Sequence, residues 1–413
     1  MSYPFINTSE QVEQLAKKLS RETVIAVDTE ADSFFHYFEK ICLVQIAAKS
    51  GIYLVDPLAL GDKGLEPLAK IFADPAIHKV FHAAEYDLYV LQQHSGIHVS
   101  SLFDTMISAQ LLGYPSVGLA SLVERHFDVK LSKDQQRTDW SRRPLRPAQI
   151  DYAGADVKYL IEIKRRLEKE LRAKKRLDWA KEEFLALEKR TWPERGFDKH
   201  GYLKIKGAKK LSPRGLAILR ELYLMRDQRA RERDRPPFRL LGNGTLLDLA
   251  QSPPRSRRSY TKRKGVTELV MRRMGQDIVD AVARGQEGPE HPPIEPKPSR
   301  AGRRRLDRRS EDRLDQLKPW RAKKAKDLEL DPGVFCPNAT LEQVACADCT
   351  SVEELRDLNL LKDWWVDEFG EEVLGVTQAI DHTEKGSQPA PREPSRRRAR
   401  GRRRSSKGAP AKS

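Results

Sequence analysis

The sequence predicts an α/β domain, a mixed sheet with helices packed on it, followed by two small all-α units and a disordered basic tail. Three observations predict this. Over the first 190 or so residues, three short apolar runs follow one another and further runs then alternate with helix-period segments. Between about 208 and 377, amphipathic helices alternate with Pro-containing loops. Residues 391–413 hold eight Arg and two Lys against one Glu, with no apolar periodicity.

Each element has its own justification. A helix is expected over Ser9–Leu19. The run Thr23-Val24-Ile25-Ala26-Val27 is apolar and partly β-branched, so Thr23–Asp28 reads as a buried strand. Strands follow at Ile41–Ala48, Ile52–Asp56 and Ile77–Phe81, with another around Val99. Helices are expected at Leu65–Phe72, Glu85–Gln93, Thr105–Leu112 and Leu119–His126. In Glu85–Gln93, Leu88, Val90 and Leu91 suit packing on a sheet. The run DYAGADVKYL is rich in good helix formers.

Three acidic clusters stand on these elements. Asp28 and Glu30 are two apart on a strand, so they point the same way. Paired carboxylates repel unless a cation sits between them, and oxygen ligands of this kind suit magnesium or manganese. Asp87 stands near a helix start, where the dipole alone would favour an acid. Tyr152 and Asp156 are four apart and share a helix face, while Asp151 lies well round the helix and is expected in solvent. A phenol one turn from a ligand carboxylate can orient a nucleophilic water or take its proton. Each cluster alone reads as an ordinary strand end, dipole partner or surface pair; together they read as a phosphodiester-cutting metal site.

These residues resemble the 3′–5′ exonuclease domain of the DEDD superfamily, in its tyrosine-bearing branch. The acids in order are Asp28, Glu30, Asp87 and Asp156, with Tyr152 four residues before the last. The other branch would carry His at position 151, which is Asp151 here. The stretches VFHAAEYDL, LFDTMISAQLLGY and QQRTDWSRRPL are similar to the ribonuclease D family. The resemblance implies a ribonuclease-H-like fold and two divalent ions, Mg2+ or Mn2+, roughly 4 Å apart on the scissile phosphate. It implies that Asp28 bridges both ions and that Glu30 and Asp156 complete the site nearer the nucleophilic water. Asp87 holds the second ion and Tyr152 orients the water. Nucleoside 5′-monophosphates would leave one at a time from a free RNA 3′ end, tRNA precursors among the substrates.

Composition bounds the rest. The chain of 413 residues has room for two or three domains and carries a net charge of +16, which argues for a polyanionic partner. The segment 391–413 supplies +9 of this, leaving +7 on the first 390 residues. The tail has no aromatic residue, so it offers phosphate attraction and no stacking platform. No apolar run is long enough to span a membrane, and MSYPFINTSEQVEQL does not read as a secretory signal. A cytoplasmic monomer is expected. Four Cys do not suggest a disulfide framework, and Cys346 and Cys349, with Cys336 nearby, lack a fourth zinc ligand.

The helical region resembles the HRDC domain. Ser212-Pro213 starts a helix with Leu216, Leu219, Leu222, Tyr223 and Arg226, followed by Arg235-Pro236-Pro237-Phe238 and LGNGTLLDLAQSPP. The order of basic helix, Pro-containing loop, Asn and Leu-rich helix recurs in LDQLKPWRAKKAKDLELDPGVFCPNATLEQVA, a diverged repeat. The expected domains are an exonuclease domain at 1–195, an HRDC domain at 208–285 and a linker at 286–312. A second HRDC-like domain at 313–377 and the tail at 378–413 follow. Trp364 and Trp365 read as core or inter-domain packing. Arg226, Arg229, Arg231 and Arg233 line an RNA path or a solvated face.

One departure stands out: Ala83 occupies a place where many DEDD relatives have Asn, and His82 beside it reads as a satisfied strand-end histidine. Two alternatives to the exoribonuclease remain, a DNA-directed exonuclease and a non-catalytic nucleic-acid binder. The second has no use for clustered acids that repel its ligand. No G-x-x-x-x-G-K-[ST] loop is present, which excludes a helicase fusion.

Overall fold

The computed structural model describes residues 3–61, 63–193, 196–291 and 306–385. Among these, six strands form one sheet: β1 (Phe5–Ile6), β2 (Val24–Ala31), β3 (Ile41–Ala48), β4 (Gly51–Val55), β5 (His78–Phe81) and β6 (Leu102–Asp104). The order is β1-β4-β3-β2-β5-β6. β2 pairs antiparallel with β3 and parallel with β5, so the sheet is mixed, as expected. A strand flanked on both edges and covered on both faces must be apolar throughout, and Ile25, Ala26 and Val27 are fully buried. Past Val27 the same strand turns acidic. Its register with β3 shifts between Glu30 and Ala31, a bulge that ends regular pairing beside the acids.

Two strands differ from expectation. The one expected around Val99 forms at Leu102–Asp104, because Ser100 N–H donates to Phe72 O instead of a strand neighbour. Ser101, at φ +55°, then swings the chain into register with β5. The two-residue β1 lies below the length at which periodicity is readable.

Helices cover the sheet where the pattern placed them. Ser9–Leu19 begins with a Thr8–Gln11 capping box. Thr105–Leu112 is capped by Asp104, which accepts from Met106 N and Ile107 N. The same carboxylate also accepts from Ala83 N and Ala84 N, holding the turn before Glu85–Ser95. That turn contains Ala83 at φ +61°, backbone that Asn tolerates better. The helix Pro147–Lys158 lies across β2, β3 and β4.

The two helical units repeat a tertiary contact. Arg226 donates to Leu241 O and Asn243 Oδ1, 15 and 17 residues on. Arg321 donates to Cys336 O and Asn338 Oδ1 at the same separations of 15 and 17. The first unit, built on Pro213–Glu232, Asn243–Gln251 and Glu268–Glu287, has its own core. The second shares one continuous apolar core with the sheet domain.

Most of the linker expected at 286–312 and of the tail at 378–413 lies outside the described residues. Where described, the helices run further than expected. Asp307 Oδ1 accepts from Ser310 N and starts Arg308–Asp327 ahead of residue 313. The last helix, Asp363–Lys385, passes residue 377, since no Gly or Pro intervenes before Gly386.

Candidate active site

Asp28 and Glu30 leave β2 on one face, and Pro147–Lys158 carries Asp156 over that face. Ligand oxygens of these three lie within 4.8 Å of one another. Tyr152, one turn earlier, and Asp87, from Glu85–Ser95, line the same cleft of about 620 Å3. All five expected residues therefore meet. Asp87 stands outside the three-ligand group, and Asp151 is exposed, as expected.

Thr29, between the two strand acids, has no site role in the sequence reading. Its Oγ1 donates to Asp87 Oδ1 at 2.5 Å and joins the second cluster to the first. Thr29 borders the same cleft as its neighbours, and only the packing of Glu85–Ser95 beside it gives the hydroxyl its partner.

The carboxyls are held against their preference. Burial pushes Asp28 well above the usual range, and Asp156 beside it adds to this. Burial raises Glu30, reinforced by Asp28, Asp156 and Asp87. Asp87 is raised by burial and then by Asp28. Burial lifts Asp156 to about 7. A divalent cation removes both penalties at once, so the donor set fits one. No other group of three or more His, Cys, Asp or Glu among the described residues is arranged to hold an ion. Burial, then Asp156, Glu30 and Asp28, keep the Tyr152 phenol protonated.

The QQRTDWSRRPL stretch supports Tyr152. Trp140 is 1% exposed, and its ring centroid lies 6.1 Å from that of Tyr152. Arg143 fixes this segment to the sheet. It pairs with both Asp56 oxygens at 2.6 Å and donates to Cys42 O at 2.6 Å and Trp140 O at 2.7 Å.

Other cleft residues emerge only from the fold. Phe34 and Tyr86 are 52% and 41% exposed on its wall, and Lys133 and Gln136 line it as well. The Tyr86 hydroxyl donates to Glu39. His82 also lines the cleft, with Nδ1 2.9 Å from Thr105 Oγ1. Burial lowers its pKa to about 4, so the ring is neutral.

The basic helix face divides. Arg226 is buried on the Leu241–Asn243 turn, and Arg229 pairs with Glu232 and Asp277, so these two are structural. Arg231 lies over the Tyr37 ring, 5.6 Å from its centroid. All four Cys are free thiols, Cys42 and Cys336 buried. No helix among the described residues is long and apolar enough to cross a membrane.

Sheet, helices and acidic cleft define a metal-dependent nuclease of the 3′–5′ exonuclease class. The family model described as 3′–5′ exonuclease matches residues 3–172, and the HRDC domain model matches twice, at 215–282 and 310–377. A ribonuclease D of Nitrobacter hamburgensis is 31% identical over 379 residues, covering 90% of this chain and 94% of that one. The crystal structure of Escherichia coli RNase D, an exoribonuclease involved in structured RNA processing, is similar at TM-score 0.63 and 25% identity, covering 92% and 99%. The RRP6 catalytic core of Trypanosoma brucei is similar at TM-score 0.63 and 30% identity, covering 69% and 80%. The chain belongs to the ribonuclease D family of 3′–5′ exoribonucleases.

Proposed function

We propose that this protein trims RNA from a free 3′ end, tRNA precursors among its substrates, at a two-ion site formed by Asp28, Glu30, Asp87 and Asp156. The observation that carries this reading is the convergence of Asp28, Glu30 and Asp156 within 4.8 Å, in a cleft that Asp87 and Tyr152 also line. Mg2+ or Mn2+ would be held by Asp28, Glu30 and Asp156, with Asp87 serving a second ion. When bound, the ions supply charge neutralisation at the phosphate and an acidified water.

The chain's own groups divide the remaining work. Thr29 holds the Asp87 carboxylate in place. Tyr152 keeps its proton beside Asp156, which suits it to orient the attacking water more than to act as its base. Trp140 and the Arg143–Asp56 pair hold that phenol in the cleft. Phe34 and Tyr86 offer exposed rings on which bases of a single strand can stack, and Lys133 offers a cation to its backbone.

The test is a time course on matched 5′-labelled RNA and DNA strands with free or blocked 3′ ends, with Asp156→Asn as control. A one-nucleotide ladder on RNA that requires metal, a free 3′ hydroxyl and Asp156 is expected. A ladder mainly on DNA would move the protein to a different substrate class. Tight binding without any ladder would replace the enzyme with a binder.

A further inference from the structure

We propose that the first HRDC unit is a positioning device for the catalytic cleft, acting through Asp234 and Arg239 on the loop formed by residues 32–40. This rests on the exoribonuclease reading above. The loop continues directly from β2, two residues beyond Glu30, and carries Phe34 into the cleft wall. Its base is closed locally, with Lys40 N donating to Asp32 Oδ1 at 2.7 Å and Phe35 N to Asp32 O at 2.7 Å. Its tip is held from the other domain.

Asp234 is the centre of that contact. Its Oδ1 accepts from Tyr37 N at 3.0 Å and Phe38 N at 3.1 Å, and its Oδ2 lies 2.7 Å from His36 Nδ1. Three consecutive loop residues are thus gathered on one carboxylate nearly 200 positions away. Asp234 reaches them from a left-handed backbone at φ +45°. Around it, Asp227 Oδ1 accepts from the Tyr37 hydroxyl at 2.9 Å. Arg239 Nε donates to Phe34 O at 2.6 Å, and its guanidinium lies over the Phe35 ring, 4.4 Å from the centroid. The backbone of Phe34 is therefore tied to the helical unit while its ring faces the cleft.

The contact reaches the segment that packs on Tyr152 as well. His36 Nε2 is 3.1 Å from Ser141 Oγ, which donates to Asp139 Oδ1 at 2.5 Å. Between these two residues stands Trp140, the support of Tyr152. One network thus runs from Asp234 through His36 to the segment behind the tyrosine.

Polar links of this kind suit a docking that can open, unlike the apolar core that fuses the second unit to the sheet domain. The hydrogen bonds of Asp234 go to His36, Tyr37 and Phe38 and so reach the site through the loop, which makes it a positioning residue.

The test uses the full chain with Asp234→Gly, which suits the positive φ and leaves the helical unit unstrained, and Asp234→Asn, which keeps an acceptor for both amides. Hydrogen exchange is read on the peptide covering residues 32–40, and kcat and KM on single-stranded RNA. The expected result for Asp234→Gly is exchange at Tyr37 and Phe38 faster by about tenfold or more, the equivalent of losing hydrogen bonds to a charged group. KM for RNA should rise by a similar factor with kcat moving less, and Asp234→Asn should restore both. Arg239→Ala should raise KM in the same direction. Unchanged exchange in Asp234→Gly would overturn the clamp, and faster exchange with unchanged KM would overturn its role in substrate positioning. Failure of the wild type to trim RNA at all would instead refute the exoribonuclease reading, which the exchange data do not depend on.

Discussion

At the scale of single residues, the candidate active site is a set of groups whose burial works against their ionisation. Asp28→Asn removes one repelling carboxylate. The metal-free variant should melt a few degrees higher than the parent, since about 1 kcal/mol moves the midpoint of a unit the size of the sheet domain by about 2–4 °C. Its exonuclease rate should fall by about a hundredfold to a thousandfold, the scale of losing a key electrostatic stabiliser. Thermal melts with and without Mg2+, beside a labelled-RNA ladder, measure both. The pH dependence follows from Asp156, raised from 3.8 to about 7 by burial. Between those values the folded chain keeps a proton that the unfolded chain has given up. Metal-free stability should therefore fall as pH rises from about 4 through about 7. Melting in EDTA across that window checks the sign, and saturating Mg2+ should flatten the curve.

At the scale of elements, two supports set the site's shape. Arg143 pairs with a nearly fully buried Asp56, so Arg143→Ala leaves a buried carboxylate short of its cation. The expected cost is about 3–5 kcal/mol by chemical denaturation. Arg143→Lys should recover little, because a lysine cannot make the two parallel bonds to Asp56. In the first HRDC unit, Gly285 lies where a Cβ would come 2.4 Å from Ile218 Cα and 2.8 Å from its N. Backbone cannot yield as a side chain does, so Gly285→Ala should force Pro213–Glu232 and Glu268–Glu287 apart. A loss of about 1–3 kcal/mol confined to that unit is expected.

At the scale of the whole molecule, the two repeats are joined to the sheet domain by different physics. Trp364 stacks on Trp179 at 4.3 Å within a continuous apolar core, and Glu182 accepts the Asp363 and Trp364 amides above it. Trp364→Ala should cost about 3–5 kcal/mol and lower the melting temperature of the sheet domain together with the second unit. The first unit, docked by hydrogen bonds and cation–π contacts, should leave that transition largely unmoved when Asp234 is replaced. Net charge also acts at this scale. With +16 on the chain, RNA affinity should fall steeply and linearly in log–log form as salt rises, and removing residues 391–413 should shallow that slope.

Fold class, repeat and candidate site residues are all legible in the order of the amino acids. Periods of two and 3.6 are local properties of the chain, and they alone place Asp28 with Glu30 and Tyr152 with Asp156. Family resemblance then joins those pairs to Asp87. Contacts between positions far apart in sequence come from tertiary packing and from nothing shorter-ranged. Thr29 with Asp87, Arg143 with Asp56 and His36 with Asp234 carry no local period, because each partner depends on which surfaces pack together. For the same reason Arg226, one of four similar arginines on a basic helix, is buried only through the turn that folds back onto it. The strand shift from Val99 to Leu102 has a like cause: a backbone amide is committed to whichever acceptor lies nearest in space, and Ser100 meets Phe72.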